Sequence, residues 1–177
     1  MRAKNDSWDS YAVRWERWAA RLRSRPGCVT ALQRGSKALT VLFYGAYAAL
    51  LAAVAPTHPW RTIPLVLVLG AAFAAVSLFR RRFNAPRPYE CCGMSPLLVR
   101  EGSGQSFPSR HTFSAFAIAV SWFALSAPVA GGLLVCACAV GVSRVWGGVH
   151  FPRDVIAGAA IGFAAGIVAA AAALMLP

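Results

Sequence analysis

The feature that most constrains this chain is a set of long segments without a single charged residue. Two such segments, 38–55 and 62–79, each run for 18 residues. As α-helices they would each extend about 27 Å, close to the thickness of a bilayer's hydrocarbon core. A third uncharged segment, 112–143, is too long for one crossing and contains a break at Ser126-Ala127-Pro128. The sequence therefore predicts helices that cross a membrane.

The last apolar segment, 155–176, carries glycine at every fourth position, at Gly158, Gly162 and Gly166. A stripe of small residues allows a second helix to approach closely within a membrane. With two helices expected from 112–143, the spans number five. The predicted fold class is an all-α, polytopic membrane helix bundle of about five transmembrane helices, in a domain that covers residues 38–177.

Residues 1–37 have a different character, because charged side chains occur throughout them. Large apolar residues recur at helical spacing with arginines between them: Trp8, Tyr11, Arg14, Trp15, Arg17, Trp18, Arg21, Leu22 and Arg23. We expect an N-terminal amphipathic helix in the membrane interface, with its rings at headgroup level and its guanidinium groups on anionic lipid. The alternative is a solvated helix that packs on the protein's own loops.

The composition excludes several other classes of protein. With 18 Lys and Arg against 6 Asp and Glu the formal net charge is +12, yet 58% of the residues are hydrophobic. That hydrophobic fraction excludes a disordered basic chain and argues against a nucleic-acid partner. The five cysteines lack the spacing of a disulfide framework, and Cys136 and Cys138 have no His or acidic neighbours that would complete a metal site. We therefore expect no metal and no cofactor, and the sequence leaves the oligomeric state open.

Unusual polar residues stand at one set of predicted helix ends. Arg80 closes the second span and His111 opens the third. Arg144 closes the fourth span, and His150 and Asp154 open the fifth. Because successive spans alternate in direction, these four ends lie on one face of the membrane and can converge on a single site.

The spacing of His150 and Asp154 indicates a chemical role. Four residues apart at the start of a helix, the carboxylate can accept the imidazole N–H and fix which ring nitrogen is free. His150 is then a candidate nucleophile or base, and His111 a candidate proton donor. Ser109 can cap the helix that follows it, so that the helix's first N–H groups face an anion.

Three arginines, Arg80, Arg87 and Arg144, bring positive charge to the same face. Three guanidinium groups, a helix N-terminus and two histidines together suit a tetrahedral phosphate. Charged residues beside spans are also common as interfacial anchors. We assign that simpler role to Arg81, Arg82, Arg100, Arg153 and His58.

The order and spacing of these residues resemble the type 2 phosphatidic acid phosphatase (PAP2) superfamily. Its three motifs are Lys-x6-Arg-Pro, Pro-Ser-Gly-His and Ser-Arg-x5-His-x3-Asp, and the third is matched in full by Ser143, Arg144, His150 and Asp154. The resemblance extends from about Thr62 to the C-terminus. Two residues depart from the family's pattern.

Arg80 stands where the family has lysine, and Arg110 stands where it has glycine. The first change replaces a compact ammonium group by a planar fork, which alters how a phosphate is gripped. The second adds a side chain where a backbone N–H would approach the phosphate. Arg110 could instead contribute a further phosphate contact. Neither change removes a nucleophilic or proton-transfer group, so we expect activity to survive.

The resemblance implies a metal-independent membrane lipid phosphatase. In it, His150 forms a phosphohistidine, His111 acts as acid and then as base, and Asp154 holds the His150 ring. It further implies that the phosphoryl oxygens are held by Arg80, Arg87, Ser109, Arg110 and Arg144. The expected substrates are phosphatidate, phosphatidylglycerophosphate or a polyprenyl (di)phosphate. The alternatives are an undecaprenyl-diphosphate phosphatase with an outward-facing site, and a non-catalytic protein that binds lipid phosphate.

Charge also predicts the orientation in the membrane. If the N-terminus and the four polar helix ends share one side, all of the 18 Lys and Arg except Arg61 lie there. By the positive-inside rule that side is cytoplasmic. We therefore predict a multi-pass protein of the cell (inner) membrane whose site faces the cytoplasm, although many relatives with this signature are expected to act on the outer side.

Overall fold

The computed structural model describes residues 6–98 and 103–177, so Arg100 lies outside the described residues. Every regular element in these two ranges is helical, which confirms the all-α class. The helices are α1 Asp6–Arg23, α2 Cys28–Val54, α3 Pro59–Phe83, α4 Pro88–Cys91, α5 Arg110–Ser121, α6 Ala127–Trp146 and α7 Pro152–Leu174. A 3-10 turn, Trp122–Ala124, follows α5.

Within the described residues, four helical segments are long and apolar enough to cross a membrane: Cys28–Val54, Pro59–Cys91, Ala127–Trp146 and Pro152–Leu174. The fifth predicted span corresponds to α5, which has 12 residues. A helix of that length extends about 18 Å, less than the hydrocarbon core. The count of five is therefore not confirmed. The predicted break is correct, because α6 begins at Ala127 with Ser126 as its N-cap.

The position of α5 explains why it can be short. It lies against α7, where a Cβ atom on Gly158 or Gly162 would clash with the carbonyl oxygen of Ser109 or Phe113. Most of its side chains are buried inside the bundle. A helix surrounded by protein need not match the thickness of the lipid. The glycine stripe predicted from the sequence is thus confirmed as the contact that lets α5 and α7 pack closely.

The two ends of the bundle differ in their connections. At one end, which we call the turn end, residues 55–58 join α2 to α3 and residues 122–126 join α5 to α6. At the other end, the loop end, residues 84–109 join α3 to α5 and residues 147–151 join α6 to α7. All four polar helix ends singled out in the sequence lie at the loop end.

The helix α1 also lies at the loop end. Its residues Ala12, Trp15 and Ala19 are buried and pack with Met94 and Leu97. The Trp15 side chain is therefore covered by protein, and the structure favours the arrangement in which α1 packs on the protein's own loops. Its outer face carries the exposed arginines Arg14, Arg17 and Arg21, whereas the exposed Arg23 lies over the Trp15 ring and pairs with Glu16. Contact between these arginines and anionic lipid stays a prediction.

The domain boundary predicted after residue 37 falls inside a helix. The structure starts α2 at Cys28, so the charged residues Arg34 and Lys37 belong to the same helix as the first apolar segment. Charge density marks where the helix enters an apolar environment, and it does not mark where the helix begins.

Candidate active site

His150 lies in the 147–151 loop, and Asp154 lies in the first turn of α7. His150 Nδ1 is 3.6 Å from Asp154 Oδ2, with side-chain exposures of 2% and 0%. The same carboxylate oxygen accepts the backbone N–H of Phe151 at 3.1 Å. The structure thus brings His150 and Asp154 together as their spacing predicted, and their catalytic roles stay predictions.

Ser106 lies between these two side chains and was missed by the sequence analysis. Its hydroxyl donates to Asp154 Oδ2 at 2.5 Å, and its Oγ is 3.3 Å from His150 Nδ1. Because the single hydroxyl proton goes to the carboxylate, the oxygen is left to accept an Nδ1–H. This arrangement favours the tautomer with its lone pair on Nε2. The only signal in the sequence was a hydroxyl residue shortly before Pro108-Ser109.

The surroundings of His150 favour a neutral ring. Burial lowers the pKa of His150 below its ordinary value, and Asp154 opposes this through its hydrogen bond and its charge. The positive charges of Arg80 and Arg144 lower the pKa further. A neutral imidazole with a free lone pair is the form required of a nucleophile or a general base.

Arg87 is fully buried and holds two loops together. Its Nε donates to the Gly104 carbonyl at 2.9 Å and its Nη2 to the Gln105 carbonyl at 3.3 Å. Its Nη1 donates to the carbonyl of Val149, the residue before His150, at 2.7 Å. Three of the five guanidinium N–H groups thus engage backbone. The sequence predicts that Arg87 also binds phosphate. That role stays a prediction, in addition to the contacts with the loops that the structure shows.

Arg80 makes similar contacts from the end of α3. The side chain is 3% exposed, and its Nη1 donates to the carbonyl oxygens of Ser106, at 3.3 Å, and Pro108. These two carbonyls lie on either side of the Phe107–Pro108 peptide bond, which is cis. The arginine that replaces the family's lysine therefore fixes the segment leading into α5.

Ser109 is the N-cap residue of α5, but the capping bond predicted for its side chain is absent. Its Oγ lies 3.0 Å from Thr112 Oγ1, so a hydroxyl takes the place of the backbone N–H as its partner. The Ser109 N–H donates to the Asp154 carbonyl at 2.8 Å, which joins the start of α5 to the start of α7.

Arg110 and His111 line a cleft of about 130 Å³ between α2, α3 and α5, to which α6 contributes Val140. Arg110 is exposed, and its Cζ lies 5.4 Å from the centre of the Phe73 ring. Arg144 reaches the same cleft through Thr40, since its Nη2 donates to Thr40 Oγ1 at 3.2 Å and Thr40 lines the cleft.

A second, mainly apolar cleft of about 220 Å³ continues from the first. The two share four lining residues, Tyr44, Phe73, Ser114 and Ile118. The polar mouth at His111 therefore opens into a groove between α2, α3 and α5. The loops join His150, Asp154, Arg80 and Arg87, whereas Arg110, His111 and Arg144 lie on the groove side. That the two groups form a single site stays a prediction.

Cations and a neutral histidine buried at the ends of apolar helices form an arrangement that suits a phosphorylated group. The PAP2 superfamily matches residues 61–176, and the chain therefore belongs to this superfamily. The resemblance that begins near Thr62 is confirmed. With its apolar helices and membrane relatives, the chain is a multi-pass membrane protein.

Two curated proteins share sequence with part of the chain. One is the bacitracin transport permease protein BcrC of Bacillus licheniformis, 45% identical over 65 residues, which cover 37% of this chain and 32% of that protein. The other is the undecaprenyl-diphosphatase BcrC of Bacillus subtilis (strain 168), 32% identical over 71 residues, which cover 40% and 36%. The matches thus span about a third of the length of these relatives.

Two solved structures share the fold. LpxE of Aquifex aeolicus superposes with a TM-score of 0.64 at 28% identity, over 82% of this chain and 86% of that one. The first transmembrane PAP2 type phosphatidylglycerolphosphate phosphatase from Bacillus subtilis gives a TM-score of 0.58 at 23% identity, over 89% and 90%. The second likeness concerns the fold alone.

Proposed function

We propose that the chain is an integral membrane lipid phosphatase, which hydrolyses a phosphomonoester or diphosphate of a membrane lipid through a phosphohistidine. The observation that carries this proposal is the buried cluster of His150, Ser106 and Asp154. Its hydrogen bonds occupy Nδ1 and leave Nε2 as the nucleophilic nitrogen. Histidine is an effective nucleophile at neutral pH when it is neutral and held in one tautomer.

In the first step Nε2 of His150 bonds to phosphorus as the bond from phosphorus to the lipid oxygen breaks. His111 donates its proton to the departing oxygen. Attack leaves positive charge on the His150 ring, and Asp154 stabilises it directly and through Ser106. Asp154 also prevents the ring from rotating, because the carboxylate is itself fixed by the Phe151 N–H.

In the second step water attacks phosphorus and the phosphorus–nitrogen bond breaks. His111 accepts the water's proton, His150 is regenerated and inorganic phosphate leaves. Arg80, Arg87 and Arg144 neutralise the phosphoryl oxygens, assisted by Ser109, Arg110 and the first N–H groups of α5. We expect this charge to replace a metal ion. Phosphate release should continue in excess chelator, and loss of activity that Mg²⁺ restores would contradict this.

The groove supports a lipid as the substrate. A phosphate held at His111 would leave its hydrocarbon chain along Tyr44, Phe73 and Ile118, which belong to the apolar part of the groove. A short, soluble phosphate ester would not fill that surface. We therefore expect kcat/KM to rise with the chain length of the substrate.

Two kinds of lipid are candidates. Phosphatidate and phosphatidylglycerophosphate are phosphomonoesters, whereas a polyprenyl diphosphate would lose its terminal phosphate. The similarity to an undecaprenyl-diphosphatase over 71 residues favours the second kind as a specific candidate. A panel that contains both kinds, with free phosphate measured after each reaction, decides between them.

The decisive experiment uses His150→Ala, with His58→Ala as its matched control. His58 is exposed at the turn end, far from the cluster. We expect the unchanged protein and His58→Ala to release phosphate from at least one lipid of the panel, and His150→Ala to release none while staying folded. Undiminished release by His150→Ala contradicts the proposal. Binding of every lipid without release identifies the non-catalytic alternative.

We also propose that the loop end faces the cytoplasm. The exposed arginines of α1 lie at this end, and Arg61 lies at the other, where its Nε donates to the Leu176 carbonyl at 3.0 Å. Cys91 is exposed at the loop end and reports the orientation. A membrane-impermeant thiol reagent should label it only after the cells are opened, and labelling in intact cells contradicts this orientation.

A further inference from the structure

The helix α1 lies outside the segment that matches the family, which begins at residue 61, yet it contacts the loop that carries His150. The Trp8 ring meets the Phe151 ring edge to face, with centroids 4.2 Å apart and planes at 75°. Phe151 follows His150 directly and is 4% exposed. A pair of this geometry contributes about 0.5–1.5 kcal/mol beyond its buried area.

A second tryptophan of α1 contacts the beginning of the same loop and the end of α6. Trp15 Nε1 donates to the Val145 carbonyl at 3.2 Å, one residue after Arg144. The ring packs against Gly148, whose φ is +72°. A Cβ at this position would overlap the ring. Gly148 is therefore required both by its backbone conformation and by the space that Trp15 occupies.

Trp8 also holds a cation beside the catalytic carboxylate. The Arg153 Cζ lies 4.7 Å from the Trp8 ring and 5.3 Å from the Phe151 ring. Arg153 Nε is 3.6 Å from Asp154 Oδ1, a buried oxygen that accepts no hydrogen bond from the described residues. The sequence alone predicts an interfacial anchor at Arg153. The structure places it between α1 and Asp154.

The middle of α1 is fixed independently to the 84–109 connection. Glu16 Oε1 accepts the Ser95 N–H at 2.7 Å, and its Oε2 is 2.9 Å from Arg23 Nη1. Partial burial raises the pKa of Glu16, but the Ser95 N–H and Arg23 outweigh it and the pKa lies below its ordinary value. The carboxylate is thus charged at neutral pH. It holds α1 in place at a point remote from His150.

From these contacts we propose that α1 is a positioning element of the active site. Trp8 contacts Phe151 at the end of the 147–151 loop and Trp15 contacts Gly148 near its beginning, and Trp8 keeps Arg153 beside Asp154. Neither tryptophan touches the reacting atoms, so both act through the loop. The proposal rests on the proposed phosphatase reaction. A displacement of about 1 Å in a reacting group can cost about 100-fold in rate.

The test compares Trp8→Ala, Trp15→Ala and Trp8→Phe with Trp60→Ala, a control at the turn end where the side chain is 61% exposed. We expect both loop-contacting alanine variants to lower kcat by about 10- to 100-fold. KM should stay near its original value, because the groove is lined by α2, α3 and α5. Trp8→Phe should recover most of the rate, since a phenyl ring can repeat the edge contact with Phe151.

A second readout separates this proposal from the proposed function. The chain has three histidines, so 15N-histidine spectra resolve the His150 ring, assigned with His150→Gln, in the absence of substrate. Trp8→Ala should shift these ring signals and Trp60→Ala should not. If no lipid releases phosphate even with the unchanged chain, the proposed function fails and the ring signals alone decide the role of α1. Unchanged ring signals, or unchanged kcat in both alanine variants, overturn the role of α1.

Discussion

The two ends of the helix bundle contain similar residues in opposite surroundings. At the turn end His58 is exposed and Arg61 is partly buried, with its Nε on the Leu176 carbonyl. At the loop end His150 is 2% exposed and Arg87 is 0% exposed. Histidine and arginine at the ends of apolar helices are therefore not enough to make a site. The difference lies in whether the loops enclose them.

Burying the charged side chains at the loop end costs free energy, and this cost indicates that their burial serves a function. Removing a charge from water costs several kcal/mol unless hydrogen bonds compensate. At the loop end the compensation comes from backbone carbonyls, which Arg87 collects from residues 104, 105 and 149. Such an arrangement keeps positive charge and a neutral histidine together out of water, where electrostatic interactions with a phosphate are strongest.

The largest loss of activity is expected from Arg87→Lys at the loop end, with Arg61→Lys at the turn end as its control. An ammonium group cannot reach the carbonyls of Gly104, Gln105 and Val149 at once, and each unpaired buried acceptor costs about 1–3 kcal/mol. With the His150 loop released, we expect kcat to fall by about 100-fold or more. Arg61→Lys should stay within about 0.5 kcal/mol of the original stability and keep its rate.

Rates of phosphate release and thermal unfolding in detergent measure these two variants. Similar losses of rate and stability in both variants would mean that each arginine only stabilises the helix bundle and that the loop end has no separate role in the reaction.

A smaller effect is expected from Ser106→Ala, compared with Ser121→Ala. Both hydroxyls are buried and hydrogen-bonded, but Ser121 Oγ donates to the Ala117 carbonyl within α5, at 2.7 Å. Loss of Ser106 removes the acceptor for Nδ1 and a donor to Asp154, worth about 1.5–3 kcal/mol for a bond to a charged group. That corresponds to about 10- to 100-fold in kcat. Steady-state kinetics of the two variants measure it, and equal rates would contradict a role for Ser106.

The sequence predicted those parts of the molecule that depend on neighbours close along the chain. The pairing of His150 with Asp154 follows from their spacing of four residues at the start of α7, and the break before Ala127 follows from proline and serine. The stripe of Gly158, Gly162 and Gly166 was also readable, because periodicity carries it. Local rules of this kind locate the helices and the ends at which the site forms.

What the sequence did not reveal depends on partners far apart along the chain. Ser106 meets Asp154, and Arg87 meets Val149, only because two connections fold over each other. Trp15 was expected at the headgroups, yet its indole N–H donates to the Val145 carbonyl. Amphipathic spacing shows that one face of a helix is apolar. It does not show whether lipid or protein covers that face.

Lowering the pH should reduce activity and stability through His150 at the loop end. Because burial lowers the pKa of His150 below 6.5, the neutral, reactive ring persists at pH 6.5. We expect kcat/KM to decline only at lower pH, by about tenfold per unit once the ring is protonated. The unfolded chain takes up this proton first, so the folded protein loses stability as the pH falls below 6.5.

Profiles between about pH 5 and 8 measure both effects. His58→Gln should leave them unchanged, since His58 is exposed. His150→Gln should remove the decline in stability. If His58→Gln shifted the acid side of the activity profile, the assignment of that decline to His150 would be wrong.

The smallest effect is expected at Arg110, which is exposed although it belongs to the loop end. An exposed charge contributes only about 0–1 kcal/mol to an interaction, so Arg110→Ala should raise KM by less than about fivefold and leave kcat unchanged. Arg110→Gly restores the residue typical of the family but adds about 1 kcal/mol of helix cost at the start of α5. The rise in KM in Arg110→Ala measures the loss of the side chain's contact with phosphate. The further change in KM in Arg110→Gly measures the effect of a more flexible backbone. A large fall in kcat in both variants would mean that Arg110 supports the reaction as strongly as the buried arginines do. Burial by the loops would then not be what separates the arginines that the reaction needs from those that it does not.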